Sequence, residues 1–202
     1  NYLERGGSSL VAMANQFIQK GRSTFSGFYL NNLDELIATI SEIRKTDFTR
    51  RILLCGVSFA LLDLAERFSP DLNGVIIMET GGMKGKRKEL IRSELHAQLC
   101  DAFGVNQIHS VYGMTELSSQ AYSTGGGKFR TPPWMRILLR DVNDPLSVGS
   151  VKSGGINVID LANINSCAFI ETQDLGSTNR VGELEILGRF DNSDIRGCNL
   201  MV

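Results

Sequence analysis

Between Ile108 and Ser123 the sequence reads IHSVYGMTELSSQAYS: an apolar run closes at Tyr112, breaks at Gly113 and then sets Thr115 beside Glu116. An aromatic face, hydroxyls and a hard anionic oxygen thus fall within five positions, and a carboxylate oxygen is the ligand a hard divalent cation takes. Further along come Thr172-Gln173-Asp174-Leu175-Gly176 and then GELEILGRFDNSD over 182–194, which carries Arg189. An ionised carboxylate such as Asp174 offers two charged acceptor oxygens, which an amide does not. Taken singly, each residue has a plainer reading: Tyr112 as a core aromatic, Glu116 as a solvated helix start, Asp174 as a turn aspartate. Short glycine-containing motifs recur by chance, so the weight lies on all three occurring in one order.

Such residues need elements to hold them. Leu10, Val11, Met13, Ala14, Phe17 and Ile18 recur at helical spacing over Ser9 to Lys20, and Asn32 to Arg44 repeats the pattern. Apolar runs at Arg51 to Val57, Gly74 to Met78 and Gln107 to Val111 read as strands. Helical stretches follow them at Phe59 to Arg67 and Lys86 to Phe103, with a further short helix expected after Glu116. This alternation predicts an α/β fold with a mostly parallel sheet and flanking helices. In such sheets ligands lie beyond the carboxyl ends of the strands, where GVSF, ETGGMKG and YGMTE would fall. After Gly125-Gly126-Gly127 the helical period disappears, and 134–140, 156–161, 167–171 and 182–187 read as strands of a small antiparallel sheet or barrel. The expected division is an α/β layer over 1–125, its N-terminal part missing, and a β-rich subdomain with the C-terminal segment over 126–202.

Composition narrows the class. The 202 residues are 42% hydrophobic and carry a net charge of −1, enough apolar material for a core and no basic arm that would suit nucleic acid. No run is long and apolar enough for a membrane span, and the first residues lack a signal-peptide layout. Cys55, Cys100, Cys167 and Cys198 are widely spaced without a CxxC pair, which predicts reduced, mostly buried thiols and a cytoplasmic setting. The chain opens without a methionine, on what reads as mid-domain sequence, so a piece of a longer protein is expected.

The ordered motifs YGMTE, TQDLG and GELEILGRFDNSD resemble those of the adenylate-forming enzymes, the acyl-CoA synthetase and adenylation-domain superfamily. The stretches METGGMKGKRKE, YGMTELSSQAYS, NVIDLANINSCAFIETQDLG and GRFDNSDIRGCNLM are similar to the acyl-protein synthetase family, the fatty-acid-activating component of bacterial luciferase reductase complexes and its relatives. The resemblance covers most of the chain from about Gly6 onward. It implies activation of a fatty acid by MgATP to an acyl-adenylate, then transfer to a cysteine near the C-terminus, where Cys198 stands. It also implies that Tyr112 and Gly113 border adenine with Gly81 and Gly82. Thr115 would hydrogen-bond phosphate and Glu116 would ligate Mg²⁺. Asp174 and Arg189 would take the ribose hydroxyls. The implied partner, besides the fatty acid, is an acyl reductase or other acyl acceptor.

Two departures qualify the carry-over. The superfamily's Ser/Thr/Gly-rich phosphate loop has no counterpart, since RGGSS at 5–9 is short and runs into a helix. The superfamily's mobile domain with its catalytic lysine would follow Asp191, where eleven residues remain here, and the narrower family is expected to do without it. Lys84, Lys86 and Arg87 are weaker candidates for that cation, and a solvated helix start explains them as well. His96 reads as a surface residue and His109 as evenly balanced between core and site. Ser58, Phe59, Met83 and Met114 lie where an acyl or nucleotide pocket could form. Two other functions fit the same motifs: a CoA ligase in which Cys198 is incidental, and a non-catalytic acyl- or nucleotide-binding subunit.

Overall fold

The structure is a computed structural model and describes residues 8–81, 90–179 and 181–190. Four helices occupy its first half: α1 (Ser9–Gly21), α2 (Leu33–Thr46), α3 (Ser58–Phe68) and α4 (Arg92–Phe103). In α2, Asp34 and Glu35 lie in the first turn and Arg44 and Lys45 in the last, each sign matching the end of the helix dipole it faces. Its buried residues Leu36, Ile40 and Ile43 fall four and three positions apart, one stripe turned to the core. Helix α4 buries Leu95, Leu99 and Phe103 in the same manner and stops at Gly104, whose φ of 64° is the left-handed conformation glycine adopts without cost.

Strands β1 (Leu53–Val57), β2 (Ile76–Thr80) and β3 (His109–Tyr112) run parallel. They are followed by β4 (Ala121–Ser123), β5 (Lys128–Arg130), β6 (Met135–Arg140), β7 (Ser153–Asp160), β8 (Phe169–Thr178) and β9 (Leu184–Arg189), all paired antiparallel. The fold is therefore α/β with a β-rich second half, as the sequence implies. Parallel pairing is confined to β1–β3, and hydrogen bonding joins all nine strands in one sheet of order β1-β2-β3-β4-β5-β9-β8-β7-β6. The sequence suggested no such continuity. It depends on β4 and β5, three residues each, which bridge from β3 to β9.

Three other expectations are corrected. In place of the short helix expected directly after Glu116, residues 115–119 form turns and lead into β4, because Ser118 and Ser119 donate their amides to the side chains of Asn163 and Asp160 rather than along a helix. The helix expected from Lys86 begins at Arg92, residues 90 and 91 being extended, while 82–89 lie outside the described residues. The strand expected over 167–171 is longer and shifted: β8 spans Phe169–Thr178, so Asp174 lies within it.

Two cores flank the sheet's midpoint. Leu61, Ile77, Leu99, Phe103 and Ile108 form the first, between α3, α4 and the parallel strands. Tyr112, Phe129, Met135, Leu139, Ile156, Val158 and Leu184 form the second. Each large apolar side chain fully withdrawn from water contributes about 1.5–3 kcal/mol before chain entropy is subtracted. Cys55 and Cys167 are exposed rather than buried, and Cys100 is intermediate.

Candidate nucleotide site

Parallel register sets Thr80 beside Val111, so Gly81 and Tyr112 follow side by side at the carboxyl ends of β2 and β3. Gly81 has a φ of 69°, a turn conformation that a larger residue would resist. Tyr112 is buried, its ring edge-on to Phe129 at 6.2 Å, and its hydroxyl donates to Asp174 Oδ2 at 2.8 Å. Burial, followed by the adjacent Asp174 charge, pushes the phenol well above its ordinary range, so Tyr112 remains a donor. Gly113 turns the chain beside Gln120, whose Cγ would lie 3.1 Å from an added Cβ.

Asp174 on β8 pairs in register with Arg189 on β9, and Arg189 Nε lies 3.5 Å from Asp174 Oδ1. Arg189 also donates from a terminal nitrogen to Gln173 Oε1 at 3.0 Å. Strand β8 is fixed locally: Thr172 donates its hydroxyl to the Ile156 carbonyl at 2.8 Å and accepts the Asp174 amide at 3.1 Å. Tyr112, which follows β3 beside Gly81, thus reaches through its side chain to Asp174 and Arg189, residues far from it in sequence. A carboxylate has about four lone-pair directions, so Asp174 keeps acceptor capacity beyond Tyr112 and Arg189.

Thr115 and Glu116 are exposed on the loop after β3. Asn163 holds that loop from both sides, donating to the Glu116 carbonyl and accepting the Ser118 amide at 2.9 Å. Asp160, fully buried, accepts the Ser119 amide at 2.8 Å and the Ser119 hydroxyl at 2.7 Å, and that hydroxyl accepts Trp134 Nε1 at 2.9 Å. Among the described residues no three His, Cys, Asp or Glu side chains converge as a ready metal cage. An exposed glutamate still suits Mg²⁺, which is commonly held by one or two carboxylates together with substrate phosphates and water. Gly82, Met83, Lys84, Lys86, Arg87 and Cys198 lie outside the described residues.

Several residues that hold the site together were not singled out from sequence. Asp160 and Asn163 stand in NVIDLANIN, where a polar residue ending an apolar strand was the available signal. Arg140, also buried, donates to the Ile156 carbonyl at 3.1 Å, Asn157 Oδ1 at 2.7 Å and the Thr172 carbonyl at 2.7 Å, and its guanidinium lies 5.3 Å over the Phe190 ring. Gly155 leaves room for it, since a Cβ there would sit 2.5 Å from Arg140 Cζ. His96 is not a surface residue as expected: its side chain is 12% exposed and its Nε2 lies 3.4 Å from the buried Glu79. Met114 packs against the second core.

Comparison with known proteins agrees with the residue pattern. A curated relative, the long-chain-fatty-acid–luciferin-component ligase of Aliivibrio fischeri, is 26% identical over 140 residues, 62% of this chain and 36% of its own length. ATP-bound MatB from Rhodopseudomonas palustris superimposes with a TM-score of 0.56 at 16% identity, over 80% of this chain and 34% of that one. A luciferase-like enzyme from the Zophobas morio mealworm gives 0.54 at 15% identity, over 80% and 41%. At these identities the structures establish a shared fold alone, and the chain spans about a third of the length of the relatives it matches. The acyl-protein synthetase (LuxE) family model matches residues 29–202, nearly the whole chain, and the chain belongs to that family.

Proposed function

We propose that this chain is the nucleotide-binding portion of a ligase that activates a fatty acid with ATP to acyl-AMP and passes the acyl group to a protein cysteine. The observation that carries the reading is the Tyr112–Asp174–Arg189 constellation, with Gly81 beside Tyr112, within a chain of the acyl-protein synthetase family. Asp174 accepts the ribose hydroxyls, with Tyr112 and Arg189 fixing its two oxygens in place. Gly81, Gly82 and Gly113 border adenine beside Tyr112, and Thr115 donates to phosphate. Glu116 ligates Mg²⁺, which when bound screens phosphate charge. Held in this way, the substrate carboxylate and the α-phosphate meet in line, and positioning with charge stabilisation supplies most of the acceleration.

Cys198 is the proposed acyl acceptor. Its thiolate attacks the acyl-adenylate carbonyl, a C–S bond forms, the bond to the phosphate oxygen breaks and AMP leaves; Arg196, two residues earlier, favours the thiolate. An acyl reductase is the proposed recipient. Residues 1–202 alone are expected to be inactive, because the phosphate loop of the superfamily has no counterpart in them. The test is intact-mass analysis of the full-length protein after incubation with MgATP and a fatty acid, alongside ATP–pyrophosphate exchange. Wild type gains one hydroxylamine-labile acyl group. Cys198→Ser retains exchange and loses that adduct. Acyl-CoA release without any protein adduct favours a CoA ligase, and absence of fatty-acid-dependent exchange in wild type excludes the adenylation reading.

A further inference from the structure

Glu79, on β2 two residues before Gly81, is a 5% exposed carboxylate with no part in the chemistry above. Ser110 on β3 donates its hydroxyl to Oε1 at 2.7 Å, and His96 Nε2 and Arg92 Nε on α4 lie 3.4 and 3.6 Å from the same oxygen. Ser58, at the start of α3, directs its one hydroxyl hydrogen between Oε2, at 3.1 Å, and the Gly81 carbonyl, so both acceptors converge on it. Arg92 reaches further: a terminal nitrogen donates to the Ile186 carbonyl on β9 at 3.4 Å, and its guanidinium lies 5.1 Å over the Phe129 ring. A buried carboxylate persists only when charges and hydrogen bonds answer it, and here the answering groups come from α3, α4 and β3.

The arrangement does not make a nucleophile. Ser110 is fully buried, and Glu79 and Ser110 both approach Nε2 of His96, so Glu79 does not orient the far side of the imidazole as a triad carboxylate would. Its geometry instead joins the Gly81 turn to α3 through Ser58 and to the strand bearing Arg189 through Arg92.

We propose that Glu79 is a positioning residue, which through Ser58 and Arg92 holds the Gly81 turn at a fixed distance from Tyr112 and Arg189 before nucleotide binds. This rests on the nucleotide-binding reading above. Burial pushes the Glu79 carboxyl up, but hydrogen bonds from His96 and Ser110 and the Arg92 charge outweigh burial and hold it below its ordinary 4.5. Its contribution is therefore complete above pH 4.5 and disappears as pH falls through the lower folded-state value. Among the described residues, the charged or titratable groups facing it are His96 and Arg92 of α4; α3 and β3 present the hydroxyls of Ser58 and Ser110.

The test is MgATP binding by calorimetry, with KM and kcat for ATP, in the full-length protein carrying Glu79→Gln or Ser58→Ala. Misplacement of a binding turn is expected to raise Kd and KM for ATP on the order of tenfold, with kcat at saturating ATP near wild type. Glu79→Gln should also remove the acid-side loss of ATP affinity, a change that weakened folding does not mimic. Ser58→Ala keeps the carboxylate and cuts one tether, so it separates misplacement from misfolding. If both variants melt earlier yet bind MgATP as wild type does, Glu79 is a structural tie only and the proposal falls, with the nucleotide site intact. If wild type itself binds no MgATP, the proposal falls together with the reading beneath it.

Discussion

The two halves of the sheet secure their polar groups in different ways. In the parallel half, Glu79 is held by side chains from helices and a neighbouring strand, with α3 and α4 covering one face. In the antiparallel half, Arg140 bonds directly to the backbone carbonyls of Ile156 and Thr172, strand to strand. The contrast follows from connectivity. A parallel strand needs a crossover helix, which brings side chains over the strand ends, whereas antiparallel neighbours are joined by short turns and must supply their own ties. Disturbing the first half should therefore shift ligand affinity before stability, and disturbing the second should do the reverse.

The largest effect tests the antiparallel tie. Arg140→Ala leaves the buried Thr172 carbonyl without its side-chain donor, removes one of the two donors to the Ile156 carbonyl and opens the space beside Gly155, so a loss of about 3 kcal/mol is expected in chemical denaturation. Glu171, 64% exposed, contributes little of this, since an ion pair with so accessible a partner is screened. A change below about 1 kcal/mol would remove the contrast between the halves.

Next in size is Asp174→Asn, which lies on β8 of the antiparallel half but is tied to Tyr112 of β3 and so is expected to behave with the parallel half. Loss of a charged acceptor worth roughly 1.5–3 kcal/mol should weaken ATP about ten- to 150-fold in the full-length enzyme, with a much smaller change in melting temperature. Wild-type ATP affinity in this variant would leave the resemblance as one of fold only.

The smallest of the three concerns the loop carrying Glu116. Asp160→Asn cannot accept the Ser119 amide and hydroxyl with the same charge, and should cost about 1–2 kcal/mol. Trp134, the single tryptophan, donates to that same hydroxyl, so its fluorescence should shift toward that of a more hydrated indole at temperatures where the fold is intact. An unchanged spectrum would mean the loop is held by Asn163 alone.

Much of the site was legible because its residue types carry their chemistry with them. Tyr112, Thr115, Glu116, Asp174 and Arg189 stand in ordered short motifs, the helices announce themselves by a period of 3.6, and the first three strands by short apolar runs that end at Gly or polar residues. These patterns are local, and a linear reading recovers them. Strands β4 and β5 escaped it because three residues hold too few alternations to signal a strand; what makes them strands is pairing with β3 and β9.

The sequence by itself determined which groups the candidate site contains: an aromatic hydroxyl, a carboxylate, a guanidinium and glycine turns, in ordered short motifs. Tertiary structure decided their partners. That Tyr112 donates to Asp174 across 62 positions, that His96 turns inward to Glu79, and that Arg140, Asp160 and Asn163 work as ties all depend on strand register and on which helix crosses which strand end. Such contacts are set by long-range packing against one shared sheet, and no window of sequence holds both members of the pair.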